Sequence, residues 1–314
     1  MELVQLKYFV SIAETLSFTR AAEVVHVSQP ALSYQMRRLE EELGTRLFDR
    51  KGRGITLTPD GELFLPLAQT VLARAAEAVR VLRESAGDEA GEVRMGGNSS
   101  VATHLVPALL ASFHQVFPKV RVEVFEGGDL ELQQRVHSGS IDFAVVTAPG
   151  SPQTLDVVRL GTEDLLVATP LGHRLAGRAS IDLAELAFED FVLPTDAFNL
   201  ATQLVDACRR AGFEPRVAYR AGSVEAIKNF VRMGLGVSIM PSVALSGSAR
   251  EGLAILTVEG GLTRELSLIR GKDRAMTRAA QVLMAHVRAS VVEHMRRPQP
   301  NEALSRVRPE SRAT

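Results

Sequence analysis

The chain has 314 residues, 46% of them hydrophobic, a formal net charge of −1 and a single cysteine. This length holds two or more domains with full cores, and the balanced charge excludes a uniformly basic nucleic-acid coat. One cysteine excludes an intramolecular disulfide framework, and neither a signal segment nor an apolar run of ~20 residues is present, so we expect a cytoplasmic protein that does not contact membranes.

Three short helical patterns open the chain. The first helix is predicted from apolar residues at helical spacing, which are Leu3, Leu6, Phe9, Val10 and Ala13. Ser17 or Thr19 is suited to cap the second helix, and Ser28 to cap the third. Pro30 falls in the first turn of this third helix, where its missing N–H is harmless. His26 and Val27 form the tight turn between the last two helices.

The third helix is predicted to have two chemically distinct faces. Its core-facing residues are expected to be Ala31, Leu32, Met36 and Leu39. The opposite face, together with the opening residues, gives the candidate DNA contacts, which are Ser28, Gln29, Pro30, Ser33, Tyr34 and Arg37. Glutamine pairs with adenine, arginine with guanine, and serine with a base edge or a phosphate. The pattern favours a helix-turn-helix whose last helix enters the major groove of DNA.

A basic turn follows the third helix. Ile55–Thr58 alternates as a strand should, and the glycine-containing turn before it indicates a hairpin wing. Arg50, Lys51 and Arg53 would contact backbone phosphate or a minor groove and add affinity more than sequence choice. The alternative is a small helical domain with a solvated charged turn. Residues 40–42, all glutamate, are interpreted as a solvated helix face.

These residues resemble a known family. Between Leu6 and Gly61 the chain contains Ser-Phe-Thr-Arg-Ala-Ala, Val-Ser-Gln-Pro-Ala-Leu-Ser, Leu-Glu-x-x-Leu-Gly, Leu-Phe-x-Arg and Leu-Thr-x-x-Gly. This stretch resembles the N-terminal domain of LysR-type transcriptional regulators. The resemblance implies a winged helix-turn-helix over residues 1–58, a dyad DNA site and a sensor domain behind it. We expect RNA polymerase as a further partner.

Residues 59–90 are predicted to form a linker helix and a hinge at Gly87–Gly91. An apolar stripe at helical spacing comprises Leu63, Leu67, Val71, Ala75, Ala78 and Leu82. An isolated stripe of this kind needs a partner, either the same helix of a second chain or the chain's own sensor domain. The resemblance implies the former, since these regulators dimerise through the linker helix and usually form tetramers.

Residues 91–296 alternate predicted strands and helices, which indicates a two-lobed α/β domain of periplasmic-binding-protein type with a mostly parallel sheet. With the linker helix and the N-terminal helices, the fold class is α/β plus α. Two lobes joined by more than one crossing place a ligand cleft at the strand ends. The polar tail, residues 297–314, is predicted to be disordered.

The cleft has one chemically distinctive segment, Gly96–Ser100, which joins the first sensor strand to its helix. Hydroxyls and backbone N–H groups at a helix N-terminus favour an anion such as a carboxylate. The alternative is that Ser99 or Ser100 only caps the helix. The candidate effector-binding residues are Ser99, Ser100, Gly128, Thr147, Phe198 and Ser223. Because no arginine or lysine stands out in these loops, the charge of the ligand stays open.

Three other functions compete with this interpretation. The resemblance implies that some related regulators sense peroxide by joining two cysteines of this helical region; here Cys208 is the single cysteine and Asn199 stands at the partner position, which leaves a regulator that senses oxidants through one thiol. An enzyme is disfavoured because the histidines are scattered and one cysteine cannot build a zinc cluster, so no catalytic residue, metal or cofactor is predicted. A solute-binding protein fits residues 92–296 but not the DNA-reading start. The sequence therefore predicts a LysR-type, effector-responsive DNA-binding regulator.

Overall fold

The computed structural model describes residues 1–51, 54–85, 91–196, 198–272 and 274–296. The chain divides into two compact units, Met1–Asp88 with Arg135–Ile141 and Glu89–Gln134 with Asp142–Thr314. Residues 87–90 of the predicted hinge and the predicted tail, 297–314, lie outside the described residues.

The first unit begins with the three predicted helices, α1 (Leu3–Thr15), α2 (Phe18–Val24) and α3 (Gln29–Leu43). Ser17 caps α2 by accepting a hydrogen bond from the backbone N–H of Arg20 at 3.3 Å. Ser28 caps α3 in the same way. Leu32, Met36 and Leu39 are buried in the core as predicted. The prediction for Ala31 was wrong, because this residue lies in the first turn on the exposed side of α3.

The predicted wing forms an antiparallel hairpin of β1 (Phe48–Lys51) and β2 (Gly54–Leu57). The solvated role expected for Glu40 was wrong. Its Oε1 accepts hydrogen bonds from the backbone N–H groups of Leu47 at 2.8 Å and Phe48 at 3.3 Å. Because backbone donors need a partner when they are buried, Glu40 fixes the start of the wing against α3. Glu41 and Glu42 are exposed.

The linker helix α4 extends over Pro59–Ser85. A Cβ added at Gly61 would lie 2.2 Å from the carbonyl oxygen of Leu47, so only glycine lets the helix start so close to the wing. Most of the predicted apolar stripe is uncovered. The exposed fractions are 71% for Leu63, 61% for Leu67, 42% for Val71 and 70% for Leu82. Ala78 is exposed and Ala75 half-buried.

The second unit contains two lobes. Lobe I begins with β3 (Glu92–Gly97), a short π-helix (Val101–Leu105) and α5 (Val106–Val116). It continues with β4 (Arg121–Glu126), α6 (Asp129–Ser138), of which residues 135–138 belong to the first unit, and β5 (Phe143–Val146). The last helix, α9 (Arg278–Arg296), returns to this lobe and buries Ala280, Leu283 and Val287 in its core.

Lobe II begins with a long strand, β6 (Leu155–Pro170), and a short strand, β7 (Ser180–Ile181). Its remaining elements are β8 (Asp190–Pro194), α7 (Asn199–Arg210), β9 (Arg216–Ala221), α8 (Val224–Arg232), β10 (Ser238–Pro241), β11 (Leu253–Val258) and β12 (Thr263–Gly271). Two apolar clusters form its core, one around Leu204 and Phe191 and the other around Ile227 and Met240.

The predicted mostly parallel sheet was wrong in one respect. In the described residues an eight-stranded sheet has the order β4-β3-β5-β12-β6-β11-β7, with β10 also on β6, and the pairs that involve β12 and β10 are antiparallel. Within the described residues β3, β4 and β5 form a parallel block, and β7 with β11 and β8 with β9 form parallel pairs. The cause is that β6 and β12 run antiparallel from one lobe to the other and connect both halves. The strands β7 and β11 were not predicted.

Candidate nucleic-acid interface and ligand cleft

The outer face of α3 presents the predicted polar side chains. Gln29 and Arg37 are exposed, Tyr34 has 55% of its surface exposed, and Ser33 is half-buried. Gln29 Nε2 donates a hydrogen bond to Ser33 Oγ at 2.9 Å, so two potential base contacts lie on consecutive helical turns. The capping residue Ser28 and its neighbour Pro30 are exposed as well. This face has the hydrogen-bonding groups of a helix that reads a major groove.

The wing supplies the other predicted contacts. The backbones of Arg50 and Lys51 pair with Ile55 and Gly54 in the hairpin. Their side chains, and Arg53 as a whole, lie outside the described residues. The three basic contacts therefore stay predictions from the sequence.

A cleft of about 380 Å³, which includes its solvent-open part, lies in the second unit. It is lined by Asn98, Ser99, Ser100, Asp129, Thr147, Pro194, Phe198, Asn199, Leu200, Ala221, Gly222, Ser223, Val224, Ile227 and Arg264. Five of the six residues predicted from the sequence thus meet at one place. The sixth, Gly128, is half-buried outside the lining, and its carbonyl accepts a hydrogen bond from the N–H of Leu132 at 2.9 Å.

Helix N-termini converge on this cleft. The π-helix, α6, α7 and α8 all begin at or next to lining residues. Their first N–H groups carry partial positive charge, which favours electronegative ligand atoms. Phe198 precedes α7 without any side-chain cap, whereas Ser223 caps α8 by accepting a hydrogen bond from the N–H of Ala226 at 3.2 Å.

The alternative that Ser99 or Ser100 caps the first of these helices was wrong. Asn98 has this role, since its Oδ1 accepts hydrogen bonds from the N–H of Val101 at 3.3 Å and from Ser100 Oγ at 3.0 Å. Ser99 is only 6% exposed, and its hydroxyl makes no hydrogen bond within the described part of the chain. Its hydroxyl therefore remains available to a ligand in the cleft.

Asp129 is a lining residue that the sequence analysis missed. Its carboxylate accepts hydrogen bonds from Thr147 Oγ1 at 2.5 Å and from the backbone N–H groups of Thr147 and Ala148 at 3.2 and 3.1 Å. The Thr147 hydroxyl is therefore engaged, and its role in the cleft is to hold Asp129. Asp129 followed Gly127 and Gly128 in the sequence and had the pattern of an ordinary helix start.

Arg264 is the second missed residue and brings a guanidinium to the cleft. Its Nε and Nη2 lie 2.9 and 2.7 Å from Oε2 of Glu163, which faces it on the neighbouring strand. Nη2 also donates to Ser100 Oγ at 2.8 Å. Both partners of the ion pair are almost fully buried. Since 101 residues separate them, only the pairing of β6 with β12 could have revealed the site.

The Arg264–Glu163 ion pair determines which groups of the cleft are free to bind an anionic ligand. Glu163 neutralises Arg264, and Glu163 itself accepts hydrogen bonds from the N–H of Val243 at 2.7 Å and from Ser242 Oγ at 3.3 Å. Breaking a buried pair leaves an uncompensated charge, which is strongly unfavourable. Oxygen atoms of a ligand would therefore be bound by N–H groups and hydroxyls, rather than by a free cation.

Cys208 lies on α7, away from any exposed surface. It is 1% exposed and packs in the core cluster of lobe II with Leu204 and Phe213. Burial, with a smaller contribution from the carboxylate of Glu214, raises the pKa of the thiol to about 11. Because the thiolate is the reactive species, this environment disfavours oxidation.

Metal-binding clusters and membrane-spanning helices are both absent from the described ranges. No cluster of three or more histidine, cysteine or acidic residues there could hold a metal ion. No helix there is both long enough and apolar enough to cross a bilayer.

Comparison with known proteins identified relatives of both units. Residues 3–62 match the family described as bacterial regulatory helix-turn-helix protein, lysR family, and residues 86–291 match the LysR substrate binding domain. The DNA-binding transcriptional dual regulator OxyR of Escherichia coli is 33% identical, over 78% of this chain and 80% of that protein.

Two solved structures cover nearly the whole chain. Full-length CbnR, a LysR family transcriptional regulator, has a TM-score of 0.72 and 26% identity, over 93% of this chain and 99% of that one. CbnR in complex with its target DNA has a TM-score of 0.70 and 27% identity, over 92% and 100% of the two chains.

Proposed function

This chain belongs to the family of LysR-type transcriptional regulators, and we propose that it reads a dyad DNA site and responds to a small molecule bound in the cleft. It is a DNA-binding regulator with an effector-binding domain. The observation that carries the proposal is the polar face of α3, on which Gln29, Tyr34 and Arg37 are exposed. Its relatives in the family are transcriptional regulators, which weighs against the enzyme and solute-binding alternatives.

The DNA-binding half of the proposal divides its contacts into two classes. The residues of α3 contact base edges, whereas Arg50, Lys51 and Arg53 contact backbone phosphate. The dyad follows from pairing two chains through the uncovered stripe of α4, because a two-fold dimer reads a site with two-fold symmetry. CbnR, solved on its target DNA, provides an example of such recognition within the family. RNA polymerase is the further partner expected of a cytoplasmic regulator of this type.

The effector half concerns the cleft. A small molecule, with a carboxylate or another oxygen-rich group directed at Ser99 and the uncapped start of α7, would bridge the two lobes. Such a ligand changes DNA binding only if it binds one arrangement of the protein more tightly than another. The remaining candidate contacts are Ser100, Thr147, Phe198 and Ser223, with Gly128 outside the lining.

A redox response through the single thiol of Cys208 is the alternative function that the similarity to OxyR suggests. The environment of Cys208 weighs against it, because the thiol is buried and its raised pKa keeps it protonated. Brief treatment of the protein with peroxide, followed by mass spectrometry, distinguishes the two: modification of Cys208 at low peroxide concentrations would favour the redox response.

Selection of genomic fragments by the purified full-length protein tests the DNA-binding half. Sequencing of the retained fragments should give a motif with dyad symmetry, and the variant in which Gln29 and Arg37 are both alanine should lose it. Retention of random fragments by both proteins would contradict the proposal.

A further inference from the structure

The turn Ser242–Leu245 joins the two lobes behind the cleft. It directly follows β10 of lobe II, yet its Val243 packs in the core of lobe I with Val101 and Leu105. The N–H of Val243 also donates to Glu163, the partner of Arg264. One face of this turn is thus connected to the wall of the cleft.

Lys228 forms a hydrogen bond with the turn Ser242–Leu245 from the side of α8. This lysine of α8 is only 1% exposed, and its Nζ donates to the carbonyl oxygen of Ala244 at 3.2 Å. The same Nζ lies 2.5 Å from Oε1 of Glu225. A buried ammonium is tolerated only when it is paired and hydrogen-bonded, so the position of Lys228 depends on both partners.

The same carboxylate oxygen also contacts lobe I. Nε2 of His104 lies 3.0 Å from Oε1 of Glu225, although the two atoms are not aligned for a hydrogen bond. Burial lowers the pKa of His104, and Lys228 lowers it further, against the opposing effect of Glu225 and Glu163. The imidazole is therefore neutral at pH 7 and accommodates the lysine beside it. We call His104, Glu225, Lys228 and the Ala244 carbonyl the junction cluster.

The junction cluster is connected to the cleft from both lobes. His104 lies on the π-helix immediately after the lining residues Asn98–Ser100. Glu225 and Lys228 lie on α8, whose first residues, Ser223 and Val224, line the cleft from lobe II. Short π-helical turns such as this one occur frequently at functional sites.

We propose that the junction cluster is an inter-lobe latch, in which Glu225 pairs with Lys228 of lobe II and lies in contact with His104 of lobe I. This proposal rests on the effector-responsive function proposed above and names the residues that couple the cleft to the lobes. Ligand binding opens or tightens the His104–Glu225 contact, while Lys228 stays fixed on the Ala244 carbonyl. The latch needs no further charged residue, because Oε1 of Glu225 contacts both His104 of lobe I and Lys228 of lobe II.

Hydrogen–deuterium exchange of the full-length protein without added ligand tests the latch. Glu225→Gln retains the shape of the side chain but removes the charge that compensates Lys228 beside His104. We expect about tenfold faster exchange of the amides in residues 98–105, and unchanged exchange in α1–α3. His104→Asn should have the same effect on residues 98–105 from the side of lobe I. Glu214→Gln is the matched control, since it removes an exposed carboxylate of lobe II away from the junction.

Each outcome has a distinct meaning. Faster exchange in both junction variants, with none in the control, supports the latch. Unchanged exchange of residues 98–105 in either junction variant overturns it, even if α8 itself becomes more mobile. Failure of the wild-type protein to select any discrete genomic site would refute the proposed function instead, and the exchange result would still decide whether the lobes are latched.

Discussion

Gln29 and Arg53 are assigned different roles in the proposed DNA contact, so their substitution should have different consequences. Gln29→Ala should cost about 1–3 kcal/mol on the cognate site and relax the choice of base, because it removes a contact to a base edge. Arg53→Ala should weaken binding to all sequences and reduce the salt slope by about 1. Titration of cognate and mismatched duplexes at several salt concentrations measures both effects. An equal loss of specificity in the two variants would refute the division.

Ser99 is the residue with which the cleft can be examined directly. Ser99→Ala should abolish the response of DNA binding to host metabolite extract and leave the affinity for the operator itself unchanged, because the hydroxyl has no partner within the described chain. Binding of a labelled operator, with and without extract, measures both quantities. Ser112→Ala, in the distant α5, is the matched control. An unchanged dose response in Ser99→Ala would remove Ser99 from the site.

Gly61 provides a test of packing at a single atom. Gly61→Ala places a Cβ 2.2 Å from the Leu47 carbonyl oxygen and 3.0 Å from Cδ2 of Leu57, and a backbone oxygen cannot move aside cheaply. Overpacking of this kind costs about 1–3 kcal/mol. Thermal unfolding should show the loss. Gly172→Ala, where the added Cβ meets nothing within 4 Å, is the control, and equal melting temperatures of the two variants would disagree with the described packing.

Residues whose role is local could be predicted from the sequence, and residues whose role depends on distant partners could not. Ser28 caps α3 through its own neighbours, and Ser99 lies at a helix start that the strand–turn–helix pattern reveals. Glu40 appeared to be one of three solvated glutamates, because its partners at Leu47 and Phe48 are defined only by how the wing folds back. Arg264 had the pattern of an ordinary charged strand residue for the same reason.

At the scale of elements, α4 carries a specific expectation. Its uncovered apolar stripe is proposed to pair with the same helix of a second chain, and Leu67→Glu places an unpaired charge in that contact from each chain. Burial of a charge without a partner is costly, so self-association should weaken by at least about tenfold. Sedimentation at several concentrations measures it. Gln69→Glu adds the same charge outside the stripe, and an equal effect there would contradict the pairing.

The junction between the lobes should respond to acid. Burial and Lys228 lower the pKa of His104 in the folded protein from its ordinary value of 6.5. Its neutral form therefore contributes fully above pH 6.5, and stability is lost as pH falls from 6.5 through the lowered value, because the unfolded chain binds the proton more readily. His104→Gln should reduce the drop in melting temperature between pH 7.5 and 5.5.

The control for this experiment is His114→Gln, which alters an exposed histidine of α5. Each 1 kcal/mol of lost stability lowers the melting temperature by roughly 2–4 °C in a domain of this size, so the difference is measurable. If the melting temperatures of wild type and both variants fall equally between pH 7.5 and 5.5, protonation of His104 does not destabilise the folded protein.

The alternation of strands and helices predicted most elements of both lobes, except β7 and β11, but not the order of the sheet. Parallel order was inferred because β3, α5, β4, α6 and β5 form the expected alternating unit. The residues from Leu155 to Asp164, in the first half of β6, mix apolar and charged side chains and so lacked the pattern of a buried strand. Pairing with β12 over nine residues makes this segment a strand, and such pairing is not visible in a local window.

At the scale of the whole molecule, one chain combines a DNA-reading unit with a unit that contains a ligand cleft, as the matches to both LysR families require. The proposed response to an effector would be a population shift, in which the bound molecule favours one arrangement of two paired chains. The order of the units and the position of the cleft could be predicted from the sequence. The charge compensation of Arg264 and the junction cluster could not, since both depend on contacts across lobes.

The central claim is that occupancy of the cleft changes how the protein lies on its operator. Footprinting of the purified full-length protein on its own host's DNA, with and without host metabolite extract, measures this most directly. The account predicts discrete sites with dyad symmetry whose footprint changes in length or spacing when extract is added. No enrichment over random DNA, or footprints that are identical with and without extract at every site, would contradict it.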